Sequence, residues 1–456
     1  MLIELLSAAS IALGSPAFVE KPCPNLKAAD RARCGTVIVP EDRAKPGGRM
    51  IGLNVMVLRA KNTATLPPLF DIPGGPGLPA VGPQSFYLGD GAVYRTHRDI
   101  VLVDQRGTGG SSPLNCPEID ATESGYGPFF PPEMVARCRQ RLSSQANLER
   151  YGTAEAIADL DAVRAALGYE TIDLQGLSYG TNVSLRYIAA YPERVRAAVL
   201  LGTAPPDARP PQHHATAAQR AMSLLFQDCA ADARCSRAYP DLSGDMRRAI
   251  ERLSRNGELR PEVFAEKLRS MMYAAEGARR VPRIVHHAAQ GDLKPFYDAT
   301  RARSRLPYSN GMFLSVTCGE RLSPEQYARA SAAARRTWFG DYRLRQQRAA
   351  CAQWPVARVT QASKPAPKSS AAILFISGRL DPVLSPELAE AEARKHPNAR
   401  HVVIPNGGHV VDSLSGLDTC FDPVVLRFFD EPDLAKLDTR CFNEMRAPPF
   451  ALDTAK

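Results

Sequence analysis

Three patterns that would assign this chain to a common class are missing from its sequence. After the N-terminal segment no apolar run is long enough to span a bilayer, which takes about 20 residues. None of the ten cysteines stands in C-x-x-C or zinc-finger spacing. The glycine-rich turn at 107–110 lacks the Lys-Ser/Thr ending of a phosphate-binding loop, and Asp104 and Arg106 beside it are interpreted as structural charges. These absences argue against an integral membrane protein, a cysteine-ligated metal protein and a P-loop protein.

Negative charge is in short supply, because 57 Lys and Arg face 48 Asp and Glu, giving a net charge of +9. Nucleic-acid binding is the obvious reading of such a balance, but the basic residues are scattered and are not interleaved with aromatic residues. An arginine-rich surface explains the charge, and a basic rim that attracts acidic substrates is the alternative. With 44% hydrophobic and 23% charged residues, the composition is that of an ordinary globular protein.

The cysteines and the N-terminus both indicate export. The ten cysteines fall into neighbours along the chain, namely Cys23 and Cys34, Cys116 and Cys138, Cys229 and Cys235, Cys318 and Cys351, and Cys420 and Cys441. We predict disulfides between these neighbours, although spacing alone leaves the connectivity open. Residues 1–22 are interpreted as an export signal or its remnant, because 2–13 is largely apolar and 15–17 resembles a cleavage site. Glu4 interrupts the apolar run, and no basic segment precedes it.

The most informative motif is a serine between two glycines, G-L-S-Y-G at 176–180. An apolar run at 171–174 precedes it, and a helix-like segment at 182–190 follows it. On such a strand–turn–helix the serine is held in a strained backbone conformation, and its oxygen is exposed at a helix N-terminus that favours negative charge. Ser178 is therefore the candidate nucleophile, and a chance match in a glycine-rich turn is the alternative.

A nucleophilic serine needs a base and a group that orients this base. Asp381 comes just past a buried-strand pattern at 371–378, where an acid is well placed to orient an imidazole. Of the eight histidines, only His409 combines a preceding strand pattern, a Gly-Gly turn and a position after the acid. We predict the triad Ser178, Asp381 and His409. The alternatives are a turn or helix N-cap role for Asp381, which precedes a proline, and a surface-loop role for His409.

A tetrahedral intermediate needs backbone N–H donors for its oxyanion. The first is expected from Tyr179, the residue after the nucleophile. The second is expected from the loop P-G-G-P-G at 73–77, which follows a strand pattern at 69–72. Because Pro76 has no N–H, Gly75 is the predicted donor. A plain glycine–proline loop is the alternative.

Strand-like runs alternate with helix-like segments, which predicts an α/β fold with a mostly parallel sheet and helices on both faces. The opening runs at 37–40 and 51–58 are predicted to form a hairpin. From 207 to 354 the pattern is helical, which predicts a cap inserted between two core strands. The predicted segments are the export signal or remnant at 1–22, the first part of the core at 23–206, the helical cap at 207–354 and the second part of the core at 355–456.

Five motifs together resemble a known family. They are PGGPG at 73–77, DQRGTGGS at 104–111, GLSYGT at 176–181, GRLDPV at 378–383 and GGH at 407–409. From about residue 34 to residue 441 the chain resembles the tripeptidyl aminopeptidase and proline iminopeptidase branch of the α/β-hydrolases, with a TAP-like C-terminal region. Its serine motif is closer to the tripeptidyl side than to the GGSWG of proline iminopeptidases. The resemblance implies an α/β-hydrolase fold and serine hydrolase chemistry without a metal or organic cofactor.

An aminopeptidase must also hold the ammonium group of its substrate, which needs a carboxylate in a largely dry pocket. Glu320 is the candidate, because it follows the apolar run at 312–316. Members of the resembled branch carry an acid two residues past a cysteine in a similar place, and Cys318 is that cysteine here. The alternative is a solvated surface glutamate.

The sequence therefore predicts a secreted or periplasmic serine hydrolase, an aminopeptidase that releases short N-terminal peptides or residues through an acyl-enzyme on Ser178. An esterase or amidase with the same triad, acting on small esters or amides, is the first alternative, because one fold hosts many chemistries. A non-catalytic binding protein on a hydrolase scaffold is the second. The expected partners are a peptide or a small ester or amide, with neither nucleic acid nor an integral membrane segment.

Overall fold

The computed structural model describes residues 17–23, 25–82, 84–123, 125–301, 308–359 and 369–453. Within these residues nine strands form one sheet. They are β1 (Phe18–Lys21), β2 (Ala32–Pro40), β3 (Met50–Leu58), β4 (Leu69–Ile72), β5 (Ile100–Val103), β6 (Ile172–Leu177), β7 (Val195–Leu201), β8 (Ala372–Gly378) and β9 (Ala399–Ile404). Their order across the sheet is β1-β2-β3-β5-β4-β6-β7-β8-β9.

Strand direction divides the sheet into two parts. From β1 through β2 and β3 to β5 each pair is antiparallel, whereas β5, β4, β6, β7, β8 and β9 pair in parallel. Parallel strands are covered on both faces and therefore carry nearly continuous apolar runs, and every residue of β5 and β8 is buried. Along β5, Val101 and Val103 pack into one core cluster and Ile100 and Leu102 into another. The predicted α/β fold and its mostly parallel sheet are confirmed.

Sixteen α-helices accompany the sheet in the described residues. They are α1 (Gln84–Leu88), α2 (Pro117–Glu123), α3 (Pro132–Ser143), α4 (Thr153–Ala166), α5 (Tyr179–Ala190), α6 (His214–Ala231), α7 (Ala233–Ala238), α8 (Leu242–Asn256), α9 (Pro261–Met271), α10 (Ala275–Gln290), α11 (Lys294–Thr300), α12 (Asn310–Gly319), α13 (Pro324–Ala334), α14 (Tyr342–Gln353), α15 (Pro386–Ala393) and α16 (Asp422–Asp430). Helices α6 to α14 lie between β7 and β8, in the segment predicted to be a cap. Leu225, Phe264 and Val285 of this segment belong to a second apolar cluster, whereas Met312 and Leu314 of α12 pack into the core cluster that contains Val101.

Two segments differ from the sequence interpretation or lie outside the described residues. Strand β1 pairs with β2, so residues 18–21, within the segment 1–22 predicted as an export signal or its remnant, form an edge strand of the sheet, and the signal itself stays a prediction. Residues 360–368, at the start of the predicted second part of the core, lie outside the described residues, as do residues 1–16 of the predicted signal. The opening hairpin forms as predicted, with β2 and β3 antiparallel.

All ten cysteines form disulfides with the neighbours predicted for them. The bridges are Cys23–Cys34, Cys116–Cys138, Cys229–Cys235, Cys318–Cys351 and Cys420–Cys441. The Cys318–Cys351 bridge fastens α12 to α14 and thus connects two cap helices that are far apart along the chain. In the part of the chain that the structure describes, no helix combines the length and the apolar character that crossing a membrane requires.

Candidate active site

Ser178 stands on the sharp turn between β6 and α5, as the sequence motif predicts. Its backbone has φ 56° and ψ −120°, a strained conformation for a residue with a side chain. The flanking glycines have a steric cause. A Cβ at Gly180 would lie 2.0 Å from the carbonyl oxygen of Ile72, and one at Gly176 would lie 2.8 Å from Ser184 Oγ. The turn therefore packs so closely against the end of β4 that no side chain fits at Gly180.

Asp381 and His409 form a buried hydrogen-bonded pair. His409 Nδ1 lies 2.7 Å from Asp381 Oδ2, and the two residues are 3% and 0% exposed. The other carboxylate oxygen, Oδ1, accepts the N–H groups of Val383 at 2.7 Å and Leu384 at 2.9 Å. Asp381 thus fills the turn role that was its alternative and orients an imidazole as well. A carboxylate that accepts the N–H of Nδ1 orients the imidazole so that Nε2 is its proton acceptor.

The serine and the histidine both lie beside the end of β7. The N–H of Ser178 donates to the carbonyl of Leu201 at 2.9 Å. At Gly202, the next residue, a Cβ would lie only 3.0 Å from His409 Cε1. The three predicted triad residues therefore follow the carboxyl ends of β6, β8 and β9, which lie at one edge of the sheet, and Ser178 and His409 flank the same short segment.

The loop predicted to complete the oxyanion site lies against the nucleophile. A Cβ at Gly74 would lie 3.0 Å from Ser178 Cβ and 3.5 Å from Ser178 Oγ. Gly75 follows with φ +116°, in the region that favours glycine, and it remains the predicted second donor beside Tyr179 at the start of α5. Asp104 holds the segment after this loop, because its Oδ1 accepts the N–H groups of Ala80 and Val81, both at 2.9 Å.

Glu320 is buried just beyond the C-terminus of α12, so the surface alternative for it is wrong. Its carboxylate lies 3.4 Å from Arg186 and 3.9 Å from Arg209, and it accepts the hydroxyl of Thr153 at 3.0 Å. The same hydroxyl oxygen lies 2.9 Å from the phenol oxygen of Tyr179, which links Glu320 to the residue after the nucleophile. Burial raises the pKa of Tyr179, and the charge of Glu320 raises it further.

A set of cap residues around His409 escaped the sequence interpretation. The ring of Tyr273 packs edge-on against the imidazole, with ring centres 5.0 Å apart. Arg269 donates to the Tyr273 hydroxyl at 3.3 Å and to buried Glu266 at 2.9 Å. Along the chain, Glu266 and Arg269 form an ordinary i,i+3 pair on α9, and no sequence signal connects them to a tyrosine that packs on a histidine from the second part of the core.

Comparisons with known proteins agree with this geometry. Residues 67–231 match the family described as alpha/beta hydrolase fold, and residues 335–441 match the family described as TAP-like protein. The chain is an α/β-hydrolase. The two matches, with the peptidase relatives below, place this hydrolase in the TAP-like branch that its motifs resemble.

Three relatives bear on the chemistry of this hydrolase. It is 30% identical over 254 residues to the serine protease Hip1 of Mycobacterium tuberculosis, covering 50% of this chain and 47% of that protein. It is 33% identical over 189 residues to a tripeptidyl aminopeptidase of Streptomyces lividans, covering 37% and 34%. It is 26% identical over 455 residues to carboxylesterase B of M. tuberculosis, covering 90% and 86%. The matches to the first two relatives span about half or less of their length.

Proposed function

We propose that this serine hydrolase is an exopeptidase that releases short peptides or residues from peptide N-termini through an acyl-enzyme on Ser178. The observation that carries the acyl-enzyme chemistry is the buried 2.7 Å contact between His409 and Asp381, together with a serine on a strained turn, and the peptidase relatives support the choice of an exopeptidase. In serine hydrolases the imidazole activates the serine hydroxyl by accepting its proton, and the buried carboxylate holds the imidazole in the orientation that this needs.

In the proposed mechanism His409 Nε2 takes the proton of the Ser178 hydroxyl while Oγ attacks the substrate carbonyl. The N–H groups of Tyr179 and Gly75 hold the oxyanion, and Asp381 stabilises the charged imidazole. His409 then protonates the departing amine, and water hydrolyses the acyl-enzyme in a second round of the same steps. Each proton transfer and each charge is handled by residues of this chain, without a metal or organic cofactor.

An esterase with the same triad is the second candidate, and a specific observation favours it. The carboxylesterase relative matches over 90% of this chain, whereas the two peptidase relatives match over 50% and 37%. A panel of aminoacyl and tripeptidyl anilides against short acyl esters separates the two functions. The proposal predicts higher kcat/KM for free-amine anilides than for their N-acetylated forms. A preference for N-blocked amides or simple esters would replace the exopeptidase with the esterase.

Glu320 is the proposed reader of the substrate's free amine. Its carboxylate is already near Arg186 and Arg209, so an ammonium group would have to compete with two guanidinium groups. The competing role is to orient Tyr179 through Thr153, which involves no substrate contact.

Glu320→Gln separates these roles when it is assayed on matched free-amine and N-acetylated substrates. An amine reader predicts a loss on the order of tenfold or more in kcat/KM for the free amine only, since the ammonium loses its partner. A Tyr179-orienting role predicts an equal loss for both substrates. Glu325→Gln, an exposed glutamate on α13, is the matched control.

We further propose that the protein works outside the cytoplasm. Five disulfides and the largely apolar N-terminal segment support this address. Fractionation of cells that express the full chain tests the proposal, with the active protein expected in the periplasm or the medium. Activity confined to the cytoplasm, with free thiols in the protein, would contradict it.

A further inference from the structure

The cap meets the loop that carries His409 just past the end of α9. The N–H of Val410, the residue after His409, donates to the carbonyl of Tyr273 at 3.0 Å. A Cβ at Gly408 would lie 2.4 Å from that carbonyl oxygen and 2.7 Å from the carbonyl oxygen of Met272, so the two backbones approach closely there. The half-buried ring of Tyr273 packs edge-on against the imidazole, with ring centres 5.0 Å apart. Tyr273 thus contacts both the side chain of His409 and the backbone on either side of it.

The same tyrosine packs against residues that hold Asp381. Its partly buried side chain lies on an apolar cluster that includes Val383 and Leu384. The N–H groups of Val383 and Leu384 are donors to Asp381 Oδ1, at 2.7 Å and 2.9 Å. Tyr273 therefore lies against the imidazole and also against the turn that fixes the carboxylate bonded to it.

A buried ion pair holds the Tyr273 ring from the cap. Arg269 donates to the hydroxyl of Tyr273 at 3.3 Å, and its guanidinium lies over the ring, 5.5 Å from the ring centre. Arg269 also donates to Glu266 at 2.9 Å, and these two residues are 2% and 1% exposed. Burial strengthens hydrogen bonds because it lowers the local dielectric constant, so this pair restricts the orientation of the ring.

We infer that Tyr273 is a positioning residue, which keeps the imidazole of His409 in the orientation in which Nε2 reaches the Ser178 hydroxyl. This role rests on the proposed mechanism, in which His409 takes and returns a proton. The hydrogen bond to Asp381 fixes only Nδ1 and leaves the ring free to tilt. Contact with a second ring that is itself held in place limits this tilt, as supporting residues do around preorganised catalytic groups. The cap then contributes to the chemical step for every substrate.

The test measures kcat and KM of Tyr273→Ala on anilides and on short acyl esters, per active site titrated with a fluorophosphonate. A misplaced imidazole predicts a kcat on the order of 10- to 100-fold lower on each cleaved substrate type, with KM nearly unchanged. Tyr273→Phe keeps the ring and should recover most of the lost kcat. Tyr297→Ala is the matched control, because this half-buried cap tyrosine packs on Tyr126 and Phe296. It should leave kcat near that of wild type.

Three kinetic results would contradict the positioning role. They are an unchanged kcat in Tyr273→Ala, a change in KM alone, and a loss in Tyr273→Phe as large as the loss in Tyr273→Ala. If Tyr273→Ala does not fold, Tyr273→Leu keeps apolar volume without the ring and should show the same loss of kcat. A crystal structure of the wild-type protein with the fluorophosphonate on Ser178 needs no variant. It should show the Tyr273 ring against the imidazole, and a ring that has moved away would overturn the role.

The rate of fluorophosphonate labelling separates this role from the proposed function, because labelling needs the serine and the histidine but neither a peptide nor an ester. If Ser178 of the wild-type protein is not labelled, the proposed mechanism fails and the positioning role fails with it. If Tyr273→Ala is labelled as fast as wild type, only the positioning role fails. If only esters are cleaved and Tyr273→Ala is slow on them, the exopeptidase proposal fails and the positioning role stands.

Discussion

At the scale of single residues, side chains in and near the active site combine roles that a sequence pattern presents as alternatives. Asp381 closes the turn before α15 with one carboxylate oxygen and orients His409 with the other. The neighbouring Pro382 favoured the turn role, and the turn role is present. It did not exclude the second role, because a carboxylate has two oxygens that point in different directions.

Asp71 on β4 provides a pH-dependent test at this scale. Burial raises its pKa to about 6, although the hydroxyl of Tyr87 donates to it at 2.7 Å and works in the opposite direction. Because the folded pKa is raised, the contribution of Asp71 to stability is complete below about pH 4 and is lost as the pH rises through about 6. A shift of about 2 units corresponds to about 3 kcal/mol.

We therefore expect Asp71→Asn to become more stable relative to wild type by about 3 kcal/mol between pH 4 and pH 7.5. The introduced amide does not titrate, and its oxygen retains an acceptor for Tyr87. Urea unfolding at several pH values measures the difference in the free energy of unfolding. A difference that is constant with pH would show that Asp71 keeps an ordinary pKa.

At the scale of elements, the turn between β6 and α5 depends on its close contact with the end of β4. Gly180→Ala would place a methyl group 2.0 Å from the Ile72 carbonyl oxygen, so a backbone shift must follow. We expect a destabilisation of about 1–3 kcal/mol and a loss of activity that exceeds the loss of folded protein, because the shift moves Ser178 and the 73–77 loop apart. Thermal unfolding and kcat measure the two effects.

The matched control for this prediction is Gly47→Ala, where a Cβ would meet nothing within 4 Å. It should leave both stability and kcat close to those of wild type. Normal activity of Gly180→Ala would contradict the steric role assigned to this glycine.

Sequence patterns predicted the parallel strands, but they did not predict contacts between segments that are distant along the chain. Strand β4 has the predicted bounds, because buried parallel strands are short apolar runs with sharp ends. Strand β1 was missed, since an edge strand of four residues with only Phe18 half-buried lacks that pattern. The arginine partners of Glu320 come from α5 and from the segment after β7, and no local spacing could indicate them.

At the scale of the whole molecule, five disulfides cross-link the core and the cap. The number of residues between the two cysteines of each disulfide predicts how much it contributes to stability. The Cys318–Cys351 bridge spans 33 residues and the Cys229–Cys235 bridge spans 6. Loop-closure entropy predicts that removing the first costs about 4 kcal/mol and removing the second about 2 kcal/mol. Paired Cys→Ala variants compared by denaturant unfolding test the ranking. A larger loss from the 229–235 pair would show that strain or packing outweighs chain entropy.

The covalent step on Ser178 is the central claim, and one measurement tests it most directly. The wild-type protein and Ser178→Ala are incubated with a fluorophosphonate probe, and the adduct is located by peptide mass spectrometry. The account predicts one adduct, on Ser178, and no labelling of Ser178→Ala, whose kcat should fall by roughly 10⁴-fold or more while its circular dichroism stays that of wild type. An adduct on another residue, or turnover by Ser178→Ala within tenfold of wild type, would contradict the account.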